Sequence, residues 1–142
     1  MRSPQTALGL VGLMLIATAC SAASSSEASS ASSTTITATL NEFSIELSAT
    51  TAPAGPVTFT VTNSGTMIHE FVVLKTDIQA ADLPVANGEV NEDDYTSMGE
   101  VADLEADASG TMTATLTAGH YAIICNLPGH VSQGMATDFI VE

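Results

Sequence analysis

The stretch HYAIICNLPGHVSQGMATDFIVE, residues 120–142, carries the strongest structural signal in this chain. It begins and ends with segments rich in β-branched and aromatic residues, HYAIIC and MATDFIVE, which predict two strands. Between them, Pro128-Gly129 predicts a sharp bend in a short loop. Cys125, His130 and Met135 follow one another at intervals of five residues. The sequence therefore predicts two strands joined by a loop that carries a thiol, an imidazole and a thioether.

Further short strands are predicted before this unit. The segments TITATL, FSIELS and VTFTVTN, within residues 35–63, alternate apolar and polar residues with a period of two. The segments 68–76 and 110–117 are also predicted strands, and Gly110 and Gly119 mark turns. About seven short strands separated by turn residues predict an all-β protein, an antiparallel β-sandwich.

Residues 77–107 differ from the rest of the chain. They are acidic, include the run NEDDY, and carry only scattered apolar positions: Leu83, Val85, Met98, Val101 and Leu104. We expect a long connection with a short helix, packed over one face of the sandwich.

The first 35 residues do not resemble a folded domain. Residues 7–19 are apolar or small and end at Cys20, which predicts an export signal over residues 1–20. The sequence ATAC resembles the lipobox of bacterial lipoproteins, although Ala17 stands where a larger aliphatic residue is usual. Cys20 is the predicted lipidation site, and the alternative is an ordinary secretory signal that is cleaved nearby. Residues 21–35, rich in Ser and Ala, predict a flexible tether. One domain, residues 36–142, would then lie on the outer face of the cell membrane or in the periplasm, held by the lipid anchor alone.

The charge of the chain limits its partners. It has 2 basic and 16 acidic residues, a net charge of −14. This excess disfavours nucleic acid and anionic lipid and favours a basic protein partner. Solubility and adaptation to salt are alternative explanations of the same composition.

There are three interpretations of the group formed by Cys125, His130 and Met135. Each residue alone would be read as a packing residue. Zinc commonly takes Cys and His but is a poor match for a thioether. Copper fits a set of two His, one Cys and a weak axial Met, and His69, at a predicted strand start, supplies the second imidazole. Because an exported thiol without a partner cysteine is exposed to oxidation, a metal would also protect Cys125.

The segments YAIICNLPGHVSQGM and NSGTMIHEFVV resemble the two ligand segments of the cupredoxins, the small blue copper proteins. In loop length the first is most similar to the rusticyanin and sulfocyanin group. The resemblance implies a Greek-key β-sandwich of about seven to eight strands with one type 1 copper ion near one end. It implies that His69, Cys125 and His130 are equatorial ligands and that Met135 is the axial ligand.

Two positions depart from the family pattern. Glu70 follows His69 where many cupredoxins have Asn or Ser, and Asn126 follows Cys125 where Ser or Thr is common. Either the hydrogen bond between the two ligand loops is kept with the roles of these two positions exchanged, or Glu70 faces solvent. A carboxylate near the site would lower the reduction potential of the copper. His120 is expected at the surface or partly buried, away from the metal. Of the other methionines, Met67 is expected at the core or rim near His69, and Met98 and Met112 are expected to pack.

The function that this resemblance implies is single-electron transfer. The edge of His130 would reach the surface within an apolar patch, and the partner would be a basic c-type cytochrome or a membrane oxidoreductase. Multicopper oxidases and copper nitrite reductases need many more histidines than the 3 in this chain, so we expect no enzyme activity. A copper-binding or trafficking protein without electron transfer is the alternative. The chain is expected to be a monomer.

Overall fold

The computed structural model describes residues 33–142. The predicted export signal, Cys20 and all but the end of the predicted tether lie outside these residues. The described part contains eleven strands: β1 (Thr34–Asn41), β2 (Ser44–Leu47), β3 (Thr51–Ala52), β4 (Gly55–Asn63), β5 (His69–Lys75), β6 (Val85–Ala86), β7 (Glu89–Val90), β8 (Thr96–Leu104), β9 (Ser109–Leu116), β10 (Gly119–Ile124) and β11 (Ala136–Val141). Three 3-10 turns connect them, at Ala80–Asp82, Glu92–Asp94 and Val131–Gln133. Within residues 33–142, no helix is long and apolar enough to cross a membrane.

Two sheets pack face to face around the main core. One sheet has the order β2-β1-β4-β9 and the other the order β3-β11-β10-β5-β8, while β6 and β7 form a separate hairpin. Aromatic rings join the sheets: the Phe59 ring centroid lies 5.3 Å from that of Phe71 and 5.4 Å from that of Phe139. The predicted β-sandwich is therefore confirmed.

The sheets are mixed in direction. Strand β1 pairs in parallel with β4, and β3 pairs in parallel with β11, whereas the other pairs are antiparallel. After β2 the chain crosses to the edge of the second sheet, forms β3, and returns beside β1 as β4. These crossovers make the two parallel pairs.

One prediction about secondary structure was wrong. Residues 96–104, assigned from the sequence to a long connection, form the nine-residue strand β8 at the edge of the second sheet. The register between β5 and β8 shifts twice, between His69 and Phe71 and between Val73 and Leu74. Because these irregularities break the alternation of inward and outward residues, β8 carries no clear period of two.

The first part of that segment, residues 77–95, is a strap across the outer face of the second sheet. A second apolar cluster fills the space beneath it, formed by Val72, Leu74, Ala80, Leu83, Val90, Ala122, Ile124 and Val131. Asp138 and His120 hold the start of the strap. The His120 ring nitrogens lie 2.6 Å from the Thr76 carbonyl oxygen and 2.8 Å from Asp138 Oδ1, and the Ala80 N–H donates to the same oxygen at 2.7 Å.

Candidate metal centre

Three of the predicted ligands meet at one end of the sandwich. Strands β5 and β10 are antiparallel neighbours, with Val72 opposite Ile124. His69, at the start of β5, and Cys125, just after β10, therefore come to the same end. His130 joins them from the loop, and all three side chains are buried.

The donor atoms form a small triangle. The Nδ1 atoms of His69 and His130 are 3.2 Å apart, and Cys125 Sγ lies 3.8 Å from the first and 3.2 Å from the second. A circle through three atoms with these separations has a radius of about 2.0 Å, close to a metal–nitrogen bond length. The three donors therefore fit a single metal ion at their centre.

The loop places His130 and Met135 through its own backbone. The His130 N–H donates to the Leu127 carbonyl at 3.0 Å, and the His130 carbonyl accepts the Met135 N–H at 3.1 Å. The Cys125 N–H donates to the Met135 carbonyl at 3.1 Å. Gly129, at the predicted bend, has φ +86°, a left-handed conformation that favours glycine. Met135 is fully buried in the same core cluster as Cys125, and these backbone bonds hold it next to Cys125 and His130.

Burial keeps the donors in a form that suits metal binding. It lowers the pKa of His69 and, together with the neighbouring His69, that of His130, so both imidazoles are neutral and can offer a lone pair at Nδ1. Burial raises the pKa of the Cys125 thiol, which is fully enclosed. A bound cation would reverse that effect, because a coordinating thiol is deprotonated by the metal. The Glu70 N–H also points at Cys125 Sγ, at 3.4 Å.

Comparison with known proteins agrees with this arrangement. The sequence model of the cupredoxin-like domain matches residues 12–137. The chain belongs to the cupredoxin-like family. A search of curated proteins found no match.

Solved structures show the same fold. Rusticyanin from Thiobacillus ferrooxidans is 20% identical, with 78% of this chain and 77% of that chain covered and a TM-score of 0.62. Reduced auracyanin from the photosynthetic bacterium Roseiflexus castenholzii is 22% identical, with 78% and 96% covered and a TM-score of 0.54. Auracyanin B is 21% identical, with 78% and 88% covered and a TM-score of 0.53.

In this cupredoxin, His69, Cys125 and His130 with Met135 form a type 1 copper site. Two imidazoles and a thiolate in one plane, with a thioether as weak fourth donor, are the donor set of blue copper rather than of zinc. Copper as the cofactor, predicted from the ligand loop, is confirmed.

Glu70 is neither fully exposed nor a simple solvent-facing carboxylate. Burial, followed by the like charges of Glu92, Glu100 and Asp103, raises its pKa to about 7, and the Asn126 backbone N–H partly opposes this. That N–H comes from the residue after Cys125, so Glu70 contacts the ligand loop directly. Of the two roles that the sequence left open, this contact favours the link between the loops.

Asn126 has a role that the sequence did not predict. Asn126 is 8% exposed, and its side chain both accepts a hydrogen bond from the Val90 backbone in the strap and donates one to it. Oδ1 accepts the Val90 N–H at 2.7 Å, and Nδ2 donates to the Val90 carbonyl and to Glu92 Oε1, both at 2.9 Å. A backbone bond from the Gly129 N–H to the Gly88 carbonyl, 2.9 Å, adds to this contact. The strap therefore supports the copper-ligand loop from outside.

The turn between β1 and β2 reaches both histidines. The Glu42 carboxylate lies 3.7 Å from His69 Nε2, and the Phe43 ring packs edge-on against the His130 ring with centroids 5.1 Å apart. Backbone N–H groups of Met67 and Thr66 donate to Glu42 and lower its pKa to about 2, so it is ionised at neutral pH. In the sequence, Glu42 only falls between the predicted strands TITATL and FSIELS, and nothing local signals a contact with residues so far along the chain.

The remaining candidates lie away from the donors or outside the described residues. His120 is partly buried on the outer face of the second sheet, as expected, and bonds to Thr76 and Asp138. Met67 is 46% exposed, on the rim, whereas Met98 and Met112 pack against the main core. Cys20 lies outside the described residues.

Proposed function

We propose that this cupredoxin is a single-electron carrier tethered to the outer face of the cell membrane or held in the periplasm. The observation that carries the proposal is the buried triangle formed by His69 Nδ1, His130 Nδ1 and Cys125 Sγ. Copper bound there supplies a one-electron couple. Such a constrained donor set is compatible with both Cu(I) and Cu(II), so little rearrangement accompanies the change of oxidation state.

The same enclosure argues for a carrier and against an enzyme. His69, Cys125 and Met135 are fully buried, and His130 is 6% exposed. A substrate would need an open coordination position, and four protein donors leave none. Within residues 33–142, one cluster of three metal-ligating side chains occurs. The electron would leave through His130, the ligand with some exposure, across the turn that bears Phe43.

The proposed partner is a basic c-type cytochrome or a membrane oxidoreductase. We expect this cupredoxin to be a monomer that binds one partner molecule at a time. Glu92, Glu100 and Asp103 act electrostatically on Glu70, so negative charge lies beside the copper end. A basic protein would be steered to that end, and the steering would weaken as salt increases.

The first experiment adds Cu(II) to the purified protein. An intense blue or green thiolate-to-copper band should form, ascorbate should bleach it, and reoxidation should restore it. Cys125→Ser is the control that should remain colourless. If wild-type protein binds copper and stays colourless, the proposal of an electron carrier is wrong. The alternative, a copper-binding or trafficking protein, is then favoured.

A second experiment tests the partner. The rate of electron transfer to a basic c-type cytochrome should fall as ionic strength rises, and Glu100→Lys should reduce it at low salt. Glu46→Lys, at the exposed position of β2, is the matched control. A rate independent of salt would contradict the basic partner.

A third experiment tests the anchor. Cys20→Ala should release the protein from the membrane fraction, and mass spectrometry of wild-type protein should find a lipid on Cys20. Wild-type protein that is recovered without lipid would favour an ordinary cleaved signal.

A further inference from the structure

The His69 ring holds a buried donor without a partner. Among side-chain polar atoms buried within residues 33–142, Nε2 of His69 is the one atom that lacks a hydrogen bond. The Nδ1 atom of the same ring faces the other two ligands, and a metal there needs its lone pair. The proton of the neutral ring must then be on Nε2. A metal-bound histidine usually donates this second N–H to a carboxylate or a carbonyl, which fixes the orientation of the ring.

The Glu42 carboxylate is the acceptor that faces this atom, at 3.7 Å from Nε2. It is held in place by the turn that leads into His69, through the N–H groups of Thr66 and Met67. A Cβ at Gly65 would lie 2.6 Å from Glu42 Oε1, so only glycine permits this close approach. The carboxylate is thus fixed close to the ring, with 28% of its side chain exposed to solvent.

We propose that Glu42 is a positioning residue for the copper site: it accepts the His69 Nε2–H and places a negative charge behind that ligand. This inference rests on the proposed copper function. The 3.7 Å separation is longer than a hydrogen bond, so this role requires the two groups to approach to about 3 Å when the site is occupied. The bond orients the imidazole, and the charge stabilises Cu(II) relative to Cu(I), which lowers the reduction potential.

Asn63 makes the loop before His69 a firm base for this contact. Its Nδ2 donates to the carbonyls of Met67 and Leu104, at 2.7 and 2.8 Å, and its Oδ1 accepts the Gly65 N–H at 2.9 Å. The turn therefore keeps internal support when the charge of Glu42 is removed. Glu42→Gln also retains an oxygen that can accept the two backbone N–H groups, so this variant isolates the charge.

The test compares Glu42→Gln with Glu46→Gln, a control at the exposed position of strand β2 in the same hairpin. In a redox titration, Glu42→Gln should increase the Cu(I):Cu(II) ratio at a fixed applied potential by roughly tenfold, which is ~59 mV for one electron. In nitrogen-15 NMR of the Cu(I) form of Glu42→Gln, the His69 Nε2–H proton should resonate upfield of its position in wild-type protein. It should also exchange faster with water than in wild-type protein. The control variant should change neither measurement.

The outcomes separate this inference from the proposed function. A blue, redox-active wild-type protein whose Glu42→Gln variant has the potential of the control overturns the role of Glu42 alone. A wild-type protein without the blue band overturns the copper function. The wild-type NMR measurement needs no variant: a His69 Nε2–H with the shift and exchange rate of an imidazole without a hydrogen bond also overturns the role of Glu42.

Discussion

Replacing Asn126 with alanine should destabilise the domain and loosen the copper-ligand loop. The substitution removes three hydrogen bonds and leaves the N–H and carbonyl of Val90, a residue that is 3% exposed, without partners. An unsatisfied buried polar group costs about 1–3 kcal/mol, and water that enters the vacated space recovers part of this. We therefore expect a loss of about 2–4 kcal/mol in the free energy of unfolding, which for a domain of this size lowers Tm by about 10–20 °C.

The assay is urea unfolding of the apoprotein, followed by circular dichroism because the chain has no Trp. Asn91→Ala is the matched control, since its exposed side chain caps no turn. Asn126→Asp is a second variant: it can still accept the Val90 N–H but loses both donated bonds and faces Glu92 with a like charge. It should therefore also unfold more easily than the control.

The same variants should release copper faster, because Asn126 follows Cys125 directly and holds the loop to the strap. Transfer of copper to a chelator measures this rate. If Asn126→Ala lost no more stability than Asn91→Ala, within about 0.5 kcal/mol, the contact between strap and loop would not be stabilising and the reasoning would be refuted.

Three other predictions concern separate parts of the molecule. The pKa of Glu42 is lowered to about 2, so its contribution to apoprotein stability is present above its unfolded-state pKa near 4.5 and is lost as pH falls toward 2. In urea unfolding, the difference in stability between wild type and Glu42→Gln should therefore shrink over that pH range. A difference that stays constant would contradict this prediction. Met135→Gln should lower the reduction potential, because an amide oxygen is a harder donor than a thioether and favours Cu(II); an unchanged potential in a redox titration would argue against the axial assignment. His120→Ala removes bonds to Thr76 and Asp138 and should speed amide hydrogen exchange in residues 77–82 without changing the copper spectrum; unchanged exchange would mean that His120 does not hold the strap.

Most strands could be predicted from local patterns. The alternation in residues 35–63 marks β1, β2 and β4, because each of these strands has one face in the core and one in solvent. Strand β8 could not be found in this way. It is an edge strand whose register with β5 shifts twice, so its apolar residues follow the bulges rather than a period of two.

The copper ligands were also accessible from the sequence, since Cys125, His130 and Met135 share one loop and His69 precedes a predicted strand. Their side chains carry the chemistry themselves, so their type and spacing predict a metal and which metal it is. The supporting contacts are different in kind. Glu42 and Asn126 act on groups 24 to 36 residues away, and their side chains are common at turns and surfaces.

What the sequence determined by itself was therefore the class of fold and the chemistry of the donor set, because periodicity and ligand type are local properties. The tertiary structure decided which distant groups complete the site: Glu42 behind His69, the Asn126 backbone N–H beside Glu70, and the strap against the Asn126 side chain. These contacts depend on how the sheets pack and how their strands are registered. A hydrogen bond forms only when donor and acceptor come within about 3 Å, and no local pattern in the chain specifies that distance.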